Sequence, residues 1–332
     1  MKILYAVQAT GNGHIARAIE MMPHLQKFGE VDVFLSGSNS SLNPNLPVKY
    51  RSSGLSLFYR STGGLDYKKI ISQISISRIQ KESRELPVSN YDLILNDFEF
   101  ICANACKIAN KKMIHIGHQA SFVSKNVPRP NKSDVVAEWV LKNYCKSNKN
   151  IGFHYEAYEN WILPPVIKQS LWNAIPTNKG HIAVYLPQYS DTHLYSAFSS
   201  QPKIKFEVFS KHIQTQKTEQ NITWMPIDNE NFANSLIHCH GIITGAGFET
   251  PAESLFLGKK MFLIPIKGQY EQLCNAESLK KYGAQIEYDI DYYFGSKINQ
   301  WYYENTPTIH LEMPNFLPTD QIVEKAMLIA MA

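Results

Sequence analysis

The fold of this 332-residue chain is read most directly from residues 241–276, GIITGAGFETPAESLFLGKKMFLIPIKGQYEQLCNA. A short apolar run ends at Thr244, Gly245 and Gly247 open a loop, and Thr250 begins a predicted helix. A strand, a loop and a helix N-terminus in this order bring together unpaired N–H groups and the positive end of a helix dipole, which attract anions. We therefore expect this loop to hold a diphosphate.

Carboxylate and amide side chains follow the loop at positions where they can contact sugar hydroxyls. Glu253 falls one turn into the predicted helix, within reach of a ribose. The stretch Thr250–Glu253 is also a capping box with proline at the first helical position, so Glu253 taken alone can be read as a helix cap. Three more polar side chains follow a second predicted strand, Met261–Ile266: Glu271, Gln272 and Asn275.

The motifs GFETPAE, residues 247–253, and QLCNA, residues 272–276, resemble the donor signature of nucleotide-sugar glycosyltransferases. The resemblance is to the GT-B class of α/β enzymes, in which two Rossmann-like domains with parallel sheets face each other across a cleft. It covers both the small-molecule glucosyl and glucuronosyl transferases and the lipid-linked N-acetylglucosamine transferase of peptidoglycan synthesis.

This resemblance implies a role for each matched residue. Glu253 would bind the donor ribose, Glu271 and Gln272 the sugar hydroxyls, and Gly247 with Thr250 the diphosphate. Two positions differ from the pattern, since many plant-type members have histidine at the position of Gly245 and asparagine at the position of Glu249. Diphosphate contacts would then depend mainly on backbone N–H groups.

The N-terminus repeats the order of strand, glycine loop and helix. An apolar run, Ile3–Val7, precedes Gly11 and Gly13, and the amphipathic segment Ile15–Lys27 follows. Gly11 and Gly13 are therefore candidates for a second diphosphate loop.

This loop also approximates the GxGxxG/A fingerprint of dinucleotide-binding proteins. In that motif the acid that binds the adenosine ribose lies at the end of the second strand. Asp32 instead begins the predicted strand Val31–Leu35. The sequence therefore disfavours a nicotinamide cofactor.

His14 comes directly after the loop and is the candidate catalytic base, because an imidazole exchanges a proton near neutral pH. Asp97 stands at the carboxyl end of a predicted strand, Leu93–Leu95, and ligands of open α/β sheets bind beyond such ends. We expect Asp97 to fix the tautomer of His14. The simpler alternatives are a surface histidine that caps a helix and a plain polar strand end.

The segments around these two residues, 5–18 and 96–99, also resemble a branch of bacterial and archaeal glycosyltransferases in which the histidine is the base. Another predicted strand, Met113–Ile116, leads to His118 and Gln119, which are candidates for the acceptor side of the site.

Strands alternate with helical segments in both halves of the chain, which predicts two parallel sheets. With 44% hydrophobic residues the chain can form a core in each half. We expect an acceptor-binding Rossmann-like domain over residues 1–163, a nucleotide-sugar-binding domain over 164–318 and a C-terminal helix over 319–332. In the resembled class that helix packs back on the first domain.

Positive charge concentrates in the first half, where residues 1–165 hold 20 Lys and Arg against 13 Asp and Glu. Basic residues interleaved with aromatic ones favour an anionic acceptor or an acidic membrane leaflet, whereas a solvated helix face explains the same pattern. No nucleic-acid-binding motif accompanies the charge. The residues concerned are Lys68, Lys69, Arg78, Lys81, Arg84, Lys125, Arg129, Lys132, Lys142, Lys146 and Lys149, with Phe122, Trp139 and Tyr144.

No apolar run approaches the roughly 20 residues of a membrane span, and the N-terminal apolar run is too short for a signal peptide. We expect a cytoplasmic protein with a peripheral contact at the inner face of the membrane. Five scattered cysteines without CxxC spacing predict neither disulfides nor a zinc site, and the stretch His238–His240 has no matching ligand pair nearby. Without a DxD-type acidic pair we expect no metal and no cofactor, the nucleotide sugar being a substrate.

The sequence thus predicts an inverting, metal-independent glycosyltransferase that uses a UDP-sugar and a small-molecule or lipid-linked acceptor, in cell-envelope glycan or glycolipid synthesis. Two alternatives remain open. One is a nucleotide-sugar epimerase on the same fold, which would convert the donor alone, and the other is a non-catalytic nucleotide-sugar-binding protein.

Overall fold

A computed structural model describes residues 1–9, 11–37, 45–54, 59–60, 64–65, 75–304 and 313–332. Lys68 and Lys69, counted above among the basic residues, lie outside these ranges. The chain forms two compact units. Unit 1 comprises Met1–Phe58, Asp66–Gln169 and Pro314–Ala332, and unit 2 comprises Tyr59–Leu65 and Ser170–Met313.

Unit 1 contains a seven-stranded sheet in the order β3-β2-β1-β6-β7-β8-β9, with all neighbouring strands parallel. Its central strands are nearly continuous apolar runs, as expected where helices cover both faces of a parallel sheet. The strands are β1 (Lys2–Gln8), β2 (Glu30–Ser36), β3 (Val48–Ser52), β6 (Leu93–Asp97), β7 (Ile114–Gly117), β8 (Lys149–Phe153) and β9 (Ile162–Leu163).

The helices of unit 1 cover this sheet, and the last of them, α12, contacts α1 and β8. Ile322, Val323, Ala326 and Met327 form its buried face, in agreement with the helical periodicity of the sequence. The helices are α1 (Asn12–Leu25), α2 (Ile76–Glu85), α3 (Phe100–Ile108), α4 (His118–Ser121), α5 (Val135–Asn143) and α12 (Thr319–Met331). A short helix, α6 (Gln169–Trp172), begins at the last residue of this segment of unit 1 and continues into unit 2.

Unit 2 contains a second seven-stranded sheet in the order β12-β13-β11-β10-β14-β15-β16, in which only β12 runs antiparallel to its neighbour. A separate antiparallel pair is formed by β4 (Tyr59–Arg60) and β5 (Gly64–Leu65). The sheet strands are β10 (His181–Tyr185), β11 (Lys205–Ser210), β12 (Lys217–Glu219), β13 (Ile222–Pro226), β14 (Gly241–Thr244), β15 (Lys260–Leu263) and β16 (Gln285–Ile286). The helices are α7 (Asp191–Ser199), α8 (Asn229–His238), α9 (Glu249–Phe256), α10 (Tyr270–Leu279) and α11 (Phe294–Tyr303).

Each sheet reverses its strand order once near its centre. In unit 1 the chain moves outward from β1 to β2 and β3, then returns to place β6 on the other side of β1. In unit 2 it does the same from β10, with β14 on the other side. The carboxyl ends of β1 and β6, and of β10 and β14, are therefore the topological switch points at which ligands bind in open α/β sheets.

Several element limits differ from those read off the sequence. The helix expected to start at Thr250 begins at Glu249, after Phe248 and without a side-chain cap, so Thr250–Glu253 does not act as a capping box. The helix of the N-terminal motif begins at Asn12, three residues before the expected Ile15, so His14 lies in its first turn. The sequence places the domain boundary after residue 163. Ile162–Leu163 pairs with β8 on the unit 1 side of that boundary, and unit 1 continues to Gln169.

Candidate active site

His14 and Asp97 meet at the switch point of unit 1. His14 lies in the first turn of α1, and Asp97 is the last residue of β6, which pairs directly with β1. The Nδ1 atom of His14 lies 2.9 Å from Oδ1 of Asp97. The carboxylate is fully buried, whereas the His14 side chain keeps 15% of its surface exposed. An oriented imidazole with one accessible edge is the arrangement that a general base requires.

Arg17 joins this pair, although the sequence interpretation did not single it out. Its Nη2 lies 2.8 Å from each carboxylate oxygen of Asp97, and its Nε lies 3.2 Å from Oδ2. Nη2 is also 3.1 Å from Nδ1 of His14. The signal was available, because residues three apart on a helix lie on the same face.

These contacts hold Asp97 in its charged form. Complete burial by itself would raise the pKa of Asp97, but the positive charge of Arg17 and the contact with His14 lower that pKa to about 2. Tyr5 places its hydroxyl 3.5 Å from Oδ2 of the same carboxylate. Asp97 is therefore an ionised acceptor at neutral pH.

The close approach to Asp97 depends on the absence of a side chain at Gly117, the last residue of β7. Its φ of +132° favours glycine, and a Cβ there would lie 2.4 Å from Oδ1 of Asp97. Phe98 also adopts a left-handed conformation, with φ of +56°. Backbone in such sparsely populated regions is concentrated at functional sites.

Gln119 and His118 follow β7, as the sequence indicates, but only Gln119 lies near His14. The Gln119 amide nitrogen is 3.5 Å from Nε2 of His14. His118 is 1% exposed, and its Nδ1 lies 2.9 Å from the carbonyl oxygen of Phe153. His118 therefore contacts the protein interior.

Glu99 fixes the start of α3 immediately after Asp97. Its carboxylate accepts hydrogen bonds from the backbone N–H groups of Ile101, at 3.0 Å, and Cys102, at 2.5 Å. Burial raises the pKa of Glu99 to about 7, against the lowering effect of these bonds and of Ser36. The residue caps the helix and holds the turn that contains Phe98.

In unit 2 the glycine loop lies at the carboxyl end of β14, beside β10. Gly245 and Gly247 are half-buried, and a Cβ added to Gly247 would meet nothing within 4 Å. Gly11, the residue before α1 in unit 1, has the same open space around it, and Gly13 is the second residue of that helix. Both loops therefore leave backbone accessible next to a helix N-terminus.

Two side chains of α10 hold the glycine loop through Ala246. The Oε1 atom of Gln272 accepts hydrogen bonds from the N–H groups of Ala246, at 3.1 Å, and Ile266, at 3.0 Å. Asn275 donates from Nδ2 to the carbonyl oxygen of Ala246 at 3.0 Å. From α10, these two residues fix the position of the glycine loop, in addition to any contact they make with a sugar.

The remaining donor-side candidates surround this loop within unit 2. Glu253 lies one turn into α9 and is buried, while Glu271, in the first turn of α10, and Thr250 are half-buried. Glu249 is the first residue of α9, where the helix dipole stabilises a negative side chain.

Gln188 is a second residue that the sequence interpretation missed. It follows β10 at the switch point of unit 2 and is 4% exposed. Neither Oε1 nor Nε2 of Gln188 has a hydrogen-bond partner in the part of the chain that the structure describes. Such a group is costly to bury, so it marks a position where a ligand can complete the hydrogen bonding.

Among the described residues there is no group of three or more His, Cys, Asp and Glu side chains that could hold a metal ion. All five cysteines are buried, and none of them forms a disulfide. None of the helices in the described ranges has the length and apolar character needed to cross a bilayer.

Several solved structures share the fold of this chain. The glycosyltransferase SnogD from Streptomyces nogalater matches with a TM-score of 0.58 at 14% identity, over 100% of this chain and 99% of that one. Arabidopsis thaliana UGT89C1 complexed with UDP matches with a TM-score of 0.57 at 13% identity, over 98% and 94%. The glycosyltransferase VinC in complex with dTDP matches with a TM-score of 0.55 at 11% identity, over 100% of both chains. The fold is that of the GT-B glycosyltransferases, with two Rossmann-like units.

The family model for glycosyl transferase family 1 matches residues 1–303, so the chain belongs to that family and is a glycosyltransferase. No curated protein matches the sequence. The fold class, the family and the enzyme class predicted from the sequence are confirmed.

Proposed function

We propose that this glycosyltransferase moves a sugar from a UDP-sugar to an acceptor hydroxyl, with inversion at the anomeric carbon and without a divalent cation. The observation that carries the proposal is the 2.9 Å contact between His14 and a buried, ionised Asp97 at the switch point of unit 1. A histidine oriented by a carboxylate activates a hydroxyl group.

In the proposed reaction Nε2 of His14 takes the proton of the acceptor hydroxyl as its oxygen attacks the anomeric carbon. The bond from that carbon to the diphosphate oxygen breaks on the opposite side, and its electrons leave with the nucleoside diphosphate. Backbone N–H groups at the start of α9 stabilise the departing charge, which is the preorganised electrostatic effect that enzymes use most.

Donor binding is assigned to unit 2. Gly245, Gly247 and Thr250 bind the diphosphate, Glu253 the ribose, and Glu271 the transferred sugar. Gln272 and Asn275 support the glycine loop and can reach the sugar from α10. Gln188 completes the donor contacts from the end of β10, because its buried amide has no partner in the described structure.

Acceptor binding is assigned to unit 1, where Gln119 lies beside His14.

A contact with an acidic lipid surface fits α5, on which Val135, Val136 and Trp139 are 78%, 73% and 64% exposed. Lys142 lies on the same helix. Phe122 takes no part, because it is fully buried against Arg129. This surface suits a lipid-linked acceptor of cell-envelope glycan or glycolipid synthesis, and Trp139→Glu is expected to abolish co-flotation with vesicles that contain an anionic phospholipid.

Two other functions make different predictions. An epimerase would convert the nucleotide sugar without an acceptor, and a sensor would bind it without transfer or hydrolysis. Donor consumption measured with and without a panel of acceptor alcohols separates the three, because a transferase requires the acceptor.

The first experiment is thermal unfolding with UDP, dTDP, GDP, CMP and NAD, each with and without EDTA. A ligand at about 100 times its dissociation constant stabilises the native state by roughly 2.7 kcal/mol. We expect UDP to raise the melting temperature and EDTA to leave that shift unchanged. A shift only with dTDP would correct the nucleotide, and a shift only with NAD, or none, would contradict the proposal.

Two matched glycine variants locate the nucleotide. Gly247→Ala and Gly11→Ala each add a methyl group where a Cβ meets no atom within 4 Å, so neither disturbs the unliganded fold. We expect Gly247→Ala to weaken UDP binding about tenfold, or 1.4 kcal/mol, while Gly11→Ala leaves it nearly unchanged. The opposite result would move the diphosphate to the loop of Gly11 and Gly13.

A further inference from the structure

Arg17 is a buried charge at the candidate site that the proposed mechanism does not use. It is 3% exposed and shares Asp97 with His14. A structural ion pair would account for its burial, but not for the 3.1 Å between its Nη2 and Nδ1 of His14. Nη2 of Arg17 and Nδ1 of His14 both contact the Asp97 carboxylate, so the proton positions of the three groups depend on one another.

The contacts with Asp97 favour one arrangement of protons, although Nη2 of Arg17, 3.1 Å from Nδ1 of His14, could donate to that nitrogen if it were bare. If Nδ1 of His14 carries a proton, that N–H and both Arg17 donors point at the oxygens of Asp97, at 2.8–3.2 Å. If Nδ1 is bare, it faces the Asp97 oxygen at 2.9 Å with lone pair against lone pair. If Asp97 is protonated instead, its hydroxyl competes with the Arg17 donors for the same space.

We infer that Arg17 is a positioning residue: its charge keeps Asp97 ionised, which holds the His14 proton on Nδ1 and leaves Nε2 as the nitrogen with the free lone pair. This inference rests on the proposed function, in which Nε2 is the base. On this inference, Arg17 determines which tautomer His14 adopts.

The other groups around Asp97 cannot replace this charge. A neutral carboxyl would otherwise be favoured in such a buried position. His115 on β7 is uncharged at neutral pH, because burial lowers its pKa to about 4. The titratable and charged groups that face Asp97 are Arg17 and His14 from α1, Tyr5 from β1, His115 from β7 and Cys145 after α5.

Replacing Arg17 by methionine keeps an unbranched side chain, shorter by the end of the guanidinium group, and removes the charge. Asp97 then either takes up a proton, which it shares with Nδ1, or pairs with a fully protonated His14. In both cases Nε2 carries a proton at neutral pH and cannot accept one. Arg17→Lys keeps the charge and is the matched control.

The test is ¹⁵N NMR of the histidine side chains in the full-length protein at pH 7.5, with His14 assigned by comparison with His14→Ala. We expect an unprotonated Nε2 in wild type and in Arg17→Lys, and a protonated Nε2 in Arg17→Met. The inference would be overturned if Nε2 were unprotonated in Arg17→Met. It would also be overturned if Nε2 were protonated in both Arg17→Met and Arg17→Lys. This spectrum needs no turnover, so it decides the matter even where no transfer is found.

Kinetics supply the second measurement. Arg17→Met is expected to lower kcat about 10–100-fold, with KM within about threefold, since a general base contributes roughly 10²–10⁴-fold. In an Asp97→Asn background the same substitution should change kcat less than about threefold, because both residues act through one group. Equal losses in the two backgrounds would show that Arg17 acts independently of Asp97.

If Arg17→Met does not fold, the double variant Arg17→Met/Asp97→Asn replaces it, because it buries no unpaired charge. Its His14 spectrum is expected to match that of Asp97→Asn alone. A different spectrum would overturn the inference.

Discussion

The side chain of His14 contacts Asp97 through Nδ1, and its Nε2 lies 3.5 Å from the amide nitrogen of Gln119. His14→Ala removes the proposed base while the ion pair between Arg17 and Asp97 remains to support α1. We expect transfer to fall roughly 10²–10⁴-fold with little change in thermal stability. Initial rates and melting temperature check both parts.

His24→Ala is the control for this variant, because His24 lies on the same helix and is also half-buried. We expect it to retain transfer within a few-fold. If His14→Ala behaves like His24→Ala in a folded protein, the base is another group.

Glu99 predicts how stability depends on pH. Its pKa is about 7 in the folded protein against an ordinary value of 4.5, so between these pH values the folded state binds more protons than the unfolded one. The free energy of unfolding should therefore fall as pH rises through this window, by about 1.4 kcal/mol per unit at most. Glu99→Gln cannot titrate and should lack this contribution.

Urea unfolding at pH 5, 6, 7 and 8 measures the effect. The difference in unfolding free energy between wild type and Glu99→Gln isolates the one carboxyl from the other groups that titrate. A difference that stays constant across this range would mean that Glu99 is ionised throughout.

The sequence predicted the pairing of His14 with Asp97, and the structure places the two side chains 2.9 Å apart. His14 was singled out because it follows the first glycine loop, and Asp97 because it stands at the carboxyl end of an apolar run, where open α/β sheets bind ligands. Arg17 was missed because an arginine on an amphipathic helix usually faces water. Its spacing of three residues places it on the same helix face as His14, but only the structure shows that it is buried beside Asp97. Gln188 was missed because no motif distinguishes an unsatisfied amide from a satisfied one.

Single elements show why helix limits are hard to read from sequence. The capping residues Thr250–Glu253 favour a start at Thr250, yet α9 begins at Glu249 without a side-chain cap. The reason is the glycine loop, whose backbone is held by Gln272 and Asn275 of α10. These tertiary hydrogen bonds fix the loop, and local capping preference does not decide the start.

The loop after β10 gives a prediction in which stability and binding move in opposite directions. Gln188→Leu removes a buried amide that has no partner among the described residues, so the unliganded protein should gain roughly 1–3 kcal/mol. The affinity for UDP should fall, because the binding site loses the two hydrogen-bonding atoms of the Gln188 amide. Thermal unfolding without ligand and calorimetric titration with UDP measure the two quantities.

Gln188→Asn, with the same amide on a shorter side chain, serves as the comparison. If Gln188→Leu is more stable and binds UDP as tightly as wild type, Gln188 does not contact the donor.

For the whole molecule, the sequence predicted two parallel sheets because alternating strands and helices allow few topologies. It predicted the GT-B class because residues 247–253 and 272–276 resemble the donor signature of that class. It did not predict that β9 extends the first sheet beyond residue 161, since two residues carry too little periodicity to be recognised as a strand.

The contact of α12 with α1 and β8 predicts unequal effects for two adjacent residues. Met327 is 1% exposed and Leu328 is 61% exposed. Met327→Ala should therefore cost about 2–5 kcal/mol of unfolding free energy, whereas Leu328→Ala should stay within about 0.5 kcal/mol. Urea unfolding of the two variants makes the comparison, and equal effects would mean that α12 does not contribute to the core of unit 1.

The last segment of unit 1, Pro314–Ala332, follows the whole of unit 2 in the chain. During synthesis on the ribosome, both segments of unit 2, residues 59–65 and 170–313, are therefore complete while the helix that carries His14 and Arg17 still lacks its partner α12. Domains that fold as units fold in the order in which they are completed. The glycine loop of unit 2 should be formed while the chain is still being translated, and the proposed base should reach its final surroundings only once residues 319–331 have left the ribosome.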